Sequence, residues 1–361
     1  MTCINAANAH DAGQISDGYH GEHVRLTIAI PTINRAYCIR RAIDSALAQT
    51  ANNIEVLVSN NGATDETRSI LDSYSDSRLR VFHHEITISP ADHANFVIGE
   101  VRGDLFVGLS DDDYLEPQFA ERVIALFDQH PEMSFCYTRC WVHVDDAALP
   151  SPSGPELEDA SSLFLGYFTG HRHLFWCATA TRIADIRKLG GLPRYTNLGD
   201  LYLWGALAFE GPVGCVGELL SHYTYLAGDN LSIGIPPCAW ANEIFELSQQ
   251  ILARFDPTLV SAPVRLNLKV AMRQFLARTT ANQFALVAAR GASKSMLWRE
   301  LWQCRRYLAA EPLLSMFRVL TALLLPARLL RVLLTHYVVR HSRWAKPSIQ
   351  ATRHPEKINQ S

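Results

Sequence analysis

The sequence predicts an α/β protein with a mostly parallel sheet, helices on both of its faces, and a helical C-terminal region. Three observations predict it. Short apolar runs of strand length alternate with helically spaced segments from Val24 to about Val144. Each apolar run gives way to a polar, turn-rich segment. From about Trp240 onward the apolar spacing is helical almost throughout.

The elements follow in order. Residues 1–23 are polar and without periodicity, which reads as a loose tail. Leu26–Ile30 (LTIAI) is a buried strand ending at Pro31. Ile39, Ala42, Ile43, Ala46 and Leu47 then give helical spacing from about Tyr37 to Gln49. Ile54–Ser59 (IEVLVS) is a second strand, and a helix from Thr64 to about Tyr74 follows with Thr64 or Asp65 as its cap. Leu79–Phe82 and Leu105–Leu109 are the third and fourth strands, separated by a helix around Asp92–Val101. A helix over about Gln118–His130 leads into a long aromatic strand, Met133–Val144. Residues 145–162, rich in Asp, Pro, Ser and Gly, read as a surface loop, and Leu163–Ile186 is mixed. A helix runs from Asp200 to Phe209. The organisation expected is a tail (1–23), an α/β domain (24–235) and a helical region (236–361).

Composition narrows the function classes. The chain has 361 residues, 48% hydrophobic and 19% charged, so it can build large cores and is neither disordered nor fibrous. Its net charge of −3 is unevenly spread: Arg299–Lys346 holds nine Arg or Lys and two Glu, a balance of +7, leaving −10 on the rest. A nucleic-acid binder concentrates its basic patch on the reading domain, so no nucleic-acid partner is expected. An acidic body with a basic, apolar tail fits a domain tethered to an anionic membrane. The eight cysteines are scattered without CxxC spacing and read as buried thiols in a reducing compartment. The start MTCINAANAHDAGQISDG lacks a basic region followed by an apolar one, so a cytoplasmic location is expected.

Doubly wound sheets bind ligands beyond the carboxyl ends of their strands. PTINR (31–35), NNGATD (60–65) and SDDD (110–113) occupy those places and are expected to share one crevice. Asp111, Asp112 and Asp113 repel one another, so a divalent cation would offset what folding alone disfavours. Hard oxygen ligands near phosphates suit Mg²⁺ or Mn²⁺; the alternative is a solvated acidic turn capping the next helix.

The segments VRLTIAIPTINRAYCIRRAIDSALAQT, IEVLVSNNGATDETRSIL and GDLFVGLSDDDYLEP, in this order and spacing, resemble the opening of a family-2 glycosyltransferase with the GT-A fold. The resemblance covers residues 24–145 and extends weakly to about 225. It implies a nucleotide-sugar donor and a saccharide or lipid-linked acceptor. Pro31 and Thr32 match the family's nucleobase-binding turn, with Asn34 and Arg35 beside it. Asn60 stands where the family usually has Asp, which leaves the base open. Ser110 replaces the first Asp of the metal motif; Asp113 is the expected metal ligand, with Asp111 or Asp112 at the ribose or a metal-bound water. His222 matches a region where some relatives help hold the metal or pyrophosphate. Asp200, after Gly199 in place of the usual Glu, matches the catalytic base of an inverting reaction and is also a candidate helix cap.

Other features are weaker. Cys136, Cys140 and His143 do not share one strand face, so they are not read as a metal site. His83, His84 and His93 read as solvated or core-satisfied, and the loop around His171 and His173 is a candidate acceptor contact. Leu313–Val339 is leucine-rich but interrupted by Arg318, Arg328 and Arg331, too short between charges to span a bilayer. Segment 312–345 is thus either an interfacial amphipathic helix pair broken near Pro326 or a soluble helical subdomain that packs on the core or forms an oligomer contact. Gln303–Tyr307 departs from the QxxRW motif of processive enzymes. The expectation is a non-processive transfer of one hexosyl or deoxyhexosyl unit in cell-surface polysaccharide biosynthesis, at the inner face of the plasma membrane. The alternative is a non-catalytic nucleotide-sugar-binding or scaffold protein.

Overall fold

A computed structural model describes residues 23–144, 147–225, 234–258, 260–330 and 332–333. Most of the expected tail and the end of segment 312–345 lie outside the described residues. The first half alternates as expected: β1 (Leu26–Thr32), α1 (Ile39–Leu47), β2 (Ile54–Asn60), α2 (Thr67–Asp72), β3 (Leu79–His83), α3 (Pro90–Glu100) and β4 (Leu105–Gly108). Then come β5 (Tyr114–Leu115), α4 (Phe119–Gln129), β6 (Phe135–Val144), β7 (Ala147–Pro150), β8 (Leu157–Glu158) and α5 (Ala160–Thr169). A 3-10 turn (Trp176–Ala178) precedes β9 (Thr179–Arg182), α6 (Ile183–Lys188), α7 (Gly199–Leu207) and β10 (Val213–Tyr225). Four helices follow, α8 (Pro237–Ala253), α9 (Ala262–Ala289), α10 (Lys294–Leu308) and α11 (Pro312–Leu324), and residues 327–330 are helical again.

The strands form one sheet in the order β3-β2-β1-β4-β9-β6-β10-β5, with β7 and β8 as side pairings. Pairing is parallel from β3 to β4. Beyond β4 the expectation of a mostly parallel sheet gives way to a mixed one. β9 runs antiparallel to both β4 and β6, while β6 and β10 are parallel. The cause is chain order. β9 arrives after β6 and α5 and fills the gap between β4 and β6 from the opposite end.

Strand alternation sorts the core into two layers. Leu26, Ile28 and Ile30 of β1, with Val56, Val58 and Val107, pack against α1, α2 and α4. Ala29, Leu57 and Phe106 point the other way, onto a layer built by α3, α5, α7 and the C-terminal helices. That second core is continuous from the sheet through Trp204 and Phe284 to Leu323.

Three local departures have clear physical causes. α3 starts at Pro90 rather than near Asp92, because Ser89 caps it by accepting from Asp92 N at 3.1 Å and Pro suits the first turn. The expected surface loop 145–162 contains β7 and β8, and α5 begins at its end; Asp159 caps α5 by accepting from Ser162 N. The longest described strand, β10, has no counterpart in the sequence reading. Its register against β6 slips at Val216/Leu219 and again at Leu219/Ser221, so exposed Gly217 and Glu218 interrupt the apolar pattern.

Candidate active site

The acidic segment sits directly past β4. Leu109 N donates to Ala29 O at 2.8 Å, the last rung beside β1, and Asp113 N closes a turn on Ser110 O at 3.1 Å. Two outside elements pin this turn. Arg41 of α1 donates to Asp112 O at 2.6 Å and holds its guanidinium 4.6 Å over the Tyr114 ring. Thr224 of β10 donates through Oγ1 to Asp112 O (2.7 Å) and through its backbone N to Asp113 Oδ1 (2.8 Å). The backbone is therefore fixed, and the three carboxyls are crowded into it.

The three differ in surroundings. Asp111 Oδ1 lies 3.4 Å from Arg35 Nε. Asp113 is 1% exposed; its Oδ2 is buried with no hydrogen-bond partner, and the Cys177 thiol beside it is aimed at His222 O. Burial pushes the Asp111 carboxyl up to about 6, against the pull of Thr32 and Arg35. Burial also raises Asp112. Asp113 is raised well above the usual range, first by burial and then by the charge of Asp112, although Thr224 N favours its ionised form. Three carboxyls whose charged form burial disfavours, one with a bare oxygen, form a donor set whose ionisation a hard divalent cation would favour. Among the described residues no three His, Cys, Asp or Glu side chains converge as a complete cage. The protein would thus supply a carboxylate or two, with phosphate and water completing the shell.

The first two loops meet each other, as expected of a shared crevice. Asn34 has φ 53°, a left-handed turn tolerated by Asn, and its Oδ1 accepts from Thr64 N at 2.7 Å. Asp65 accepts from Ala36 N and Thr67 N, and Arg35 N donates to Thr67 Oγ1. Thr32 is buried at the carboxyl end of β1, next to half-buried Pro31. Arg35 ties this turn to Asp111.

Asn60 is placed at the crevice but is 2% exposed and already engaged. Its Oδ1 accepts from Ala63 N at 3.0 Å, and its Nδ2 lies 3.2 Å from His83 Nδ1, whose other ring nitrogen meets Asp72 at 3.1 Å. The Asn61 amide is closed on the backbone of Ile88 by two bonds. His84 and His93 both reach Ser59 Oγ, and burial, then the neighbouring His84, lowers His93 to about 4. These histidines are accounted for by packing.

His222 is likewise committed. Its Nε2 lies 2.8 Å from Glu116 Oε1, its Nδ1 lies 2.9 Å from His143 Nε2, and its ring stacks on Tyr114 at 4.0 Å. The structure brings it beside the acidic turn without directing a ring nitrogen to the carboxylates. Cys136 and Cys140 are buried in the core on the α1/α4 side, whereas His143 joins the His222 stack. Asp200 lies in the first turn of α7, after the cap position Leu198, and its Oδ1 accepts from Leu201 N at 2.7 Å. It is half-buried, and burial raises its carboxyl. It lies close enough to Tyr167 of α5 for its charge to disfavour ionisation of that phenol. His171 bonds Thr169, and His173 is lowered to about 4 by burial.

Sequence reasoning missed Arg41 and Thr224. Arg41 follows Arg40 in a basic pair whose members are both exposed, and only the fold shows which one reaches the acidic turn. Thr224 belongs to the unpredicted β10.

The profile of glycosyl transferase family 2 matches residues 27–180, the span that builds β1 to β9. That match to glycosyl transferase family 2 covers less than half of the chain. An uncharacterized glycosyltransferase of Rickettsia bellii is 42% identical over 106 residues, 29% of this chain and 15% of that protein. The hyaluronan synthase of Pasteurella multocida is 31% identical over 128 residues, 34% and 13% of the two chains. The chain thus spans a small part of the length of those relatives. Among solved structures, S. aureus TarS 1–349 in complex with UDP-GlcNAc aligns over 81% of this chain and 92% of its own, with TM-score 0.57 and 14% identity. The mannosyltransferase PcManGT from Pyrobaculum calidifontis, in complex with GDP-Man and Mn²⁺, aligns over 83% and 87% with TM-score 0.51 and 15% identity. These likenesses establish the GT-A fold, including much of the helical region.

Proposed function

We propose that this chain transfers a single sugar from a nucleotide-sugar to a saccharide or lipid-linked acceptor, in cell-surface polysaccharide biosynthesis at the cytoplasmic face of a membrane. The observation that carries the reading is the Asp111–Asp113 turn at the carboxyl edge of the sheet, with the unpartnered buried Oδ2 of Asp113, the first loop joined to it through Arg35, and the second loop joined to the first. The family-2 match over residues 27–180 and the donors named for the two structural neighbours, UDP-GlcNAc and GDP-Man, support the donor class.

In this reading Pro31, Thr32, Asn34 and Arg35 form the wall around the nucleoside, and Asn60 shapes it through Ala63 and His83. Its spare valence is small, because both ends of the amide are engaged. Asp111 and Asp112 meet the ribose or a metal-bound water, and Asp113 is the Mn²⁺ or Mg²⁺ ligand. When bound, that cation would neutralise charge on the departing diphosphate. His222 supports the turn from below through Tyr114 and Glu116. Asp200, its carboxyl raised toward neutrality by burial, takes the proton of the acceptor hydroxyl in an inverting displacement.

The test is a panel of UDP-, GDP- and dTDP-sugars with Mn²⁺, with Mg²⁺ and with EDTA, read by thermal shift and by release of nucleoside diphosphate. One donor should stabilise the chain and turn over with metal, and lose both effects in EDTA. A panel that gives neither stabilisation nor turnover with any donor would overturn the reading.

A further inference from the structure

Among the described residues α10 and α11 form an antiparallel pair laid on α9. Lys294 at the start of α10 donates to Ala322 O and Leu325 O, the carbonyls that close α11, so the two helices are locked end to end. Val319, Ala322 and Leu323 of α11 are buried. The opposite stripe is not: Leu313 is 88% exposed, Phe317 67%, Leu320 40% and Leu324 74%. Their spacing of four, three and four residues puts them on one face. α10 adds Trp298 and Trp302, one turn apart, with Trp302 70% exposed. Single exposed apolar residues need no explanation, but a stripe of six across two locked helices does.

Charge decides what covers it. Arg299, Arg305, Arg306 and Arg328 are exposed on the same two helices or just past them, and Arg305 lies over the Trp302 ring at 4.2 Å. The two acids of this stretch are turned to internal partners: Glu300 accepts from Cys238 N and Glu311 from Arg278. The surface is therefore apolar and cationic without local compensation. A second copy docked on it would set arginines against arginines. A layer of anionic head groups over hydrocarbon matches both properties, with Trp and Arg at the boundary. Among the described residues no helix is long and apolar enough to cross a membrane, so the contact is parallel to the bilayer plane.

We propose that the exposed face of α10 and α11 is an interfacial docking surface for an anionic lipid bilayer. Trp298, Trp302, Leu313, Phe317, Leu320 and Leu324 enter the boundary between head groups and acyl chains, and the arginines pair with lipid phosphates. The proposal extends the location given in the functional reading. Its test reads lipid binding alone, so its failure leaves the transfer reaction standing, and failure of the reaction leaves it untouched.

The test is flotation of the full chain with phosphatidylcholine vesicles and with vesicles containing about 30% phosphatidylglycerol, at low and high salt. The chain should float with the anionic vesicles at low salt and be released by high salt. Phe317→Glu with Leu324→Glu should weaken binding at least about tenfold. Replacing Arg305, Arg306 and Arg328 by Gln should weaken anionic-vesicle binding about fivefold per residue. Absence of flotation with anionic vesicles would overturn the proposal, as would flotation indifferent to the apolar variant. So would a sedimentation dimer that Phe317→Glu dissociates in a chain that ignores vesicles. Should the charged variants misfold, quenching of wild-type fluorescence by brominated lipids, lost when Trp298 and Trp302 are both changed to Phe, asks the same question; wild-type emission unchanged by those lipids overturns the proposal.

Discussion

The two halves of the sheet are built by different rules. From β3 to β4 every pair is parallel, each strand is followed by its helix, and every loop at the carboxyl edge carries polar residues that reach another loop. From β9 to β5 the directions are mixed, the strands come from distant parts of the chain, and the contributions to the crevice are supports: Thr224 and His222 of β10, and Cys177 of the 3-10 turn. The difference teaches that the first half presents the donor-side carboxyls, whereas the strands of the second half hold them in place. Substitutions in the two halves should therefore fail in different ways.

The largest effect is expected within the acidic turn. Asp112→Ala and Asp113→Ala should each lower metal-dependent turnover by a thousandfold or more, about 4 kcal/mol of transition-state stabilisation. They should differ in stability. Asp113 takes the Thr224 backbone bond inside the protein, so its loss strands a buried donor and should lower the thermal midpoint as well. Asp112 uses its backbone oxygen for the second-half contacts, and its side chain can go without unfolding the turn. Kinetics with parallel melting curves check this. Equal destabilisation by both would erase the distinction between presenting and supporting groups.

Next comes Asp200→Asn. It keeps the bond to Leu201 N and the first turn of α7 while removing the base. Turnover should fall by about 10²–10⁴ with nucleotide binding unchanged. Parallel loss of turnover and donor affinity, measured by titration against rate, would make Asp200 a structural residue.

The seam between the halves supplies the third test. Gly108 ends β4, and a Cβ built there would lie 1.9 Å from Trp176 Nε1 and 2.0 Å from its Cε2. Trp176 in turn packs edge-on to Phe106 at 5.7 Å. Gly108→Ala should cost about 1–3 kcal/mol in denaturant titration, because the indole must move off the sheet. Little change would mean that the seam is loosely packed and that the halves are less interdependent than their shared sheet implies.

The same division explains what could be read from the sequence. LTIAI, IEVLV and LFVGL declare buried strands because continuous apolar runs need cover on both faces, and the polar turn after each marks the crevice. β10 was not legible, since Gly217, Glu218 and the double register slip break its pattern, and with it went Thr224. Asn60 was legible as a position but not as a closed hydrogen-bond unit, because His83 and Asp72 reach it only through the parallel pairing of β2 with β3. The antiparallel entry of β9 depends on where the chain returns after α5, which local pattern does not encode.

The smallest effect, and the one that tests the electrostatic side of the comparison, is on stability against pH. Burial raises the Asp111 carboxyl from its ordinary value near 4 to about 6, so the folded state holds this proton more tightly than the unfolded chain. A group of this kind favours the fold while it stays protonated and costs stability as it ionises. Its contribution is therefore lost as pH rises from about 4 through about 6, by an amount on the order of 3 kcal/mol at most. Cation-free protein should lose thermal stability across that window, and Asp111→Asn should flatten the loss. His93, neutral in the fold and lowered to about 4, has the opposite slope, destabilising as pH falls below about 6.5. The two can be separated by comparing Asp111→Asn with His93→Gln in cation-free buffer. If Asp111→Asn leaves the wild-type slope intact between pH 4 and 6, the acidic turn is better solvated than its packing indicates, and the argument that it awaits a cation weakens with it.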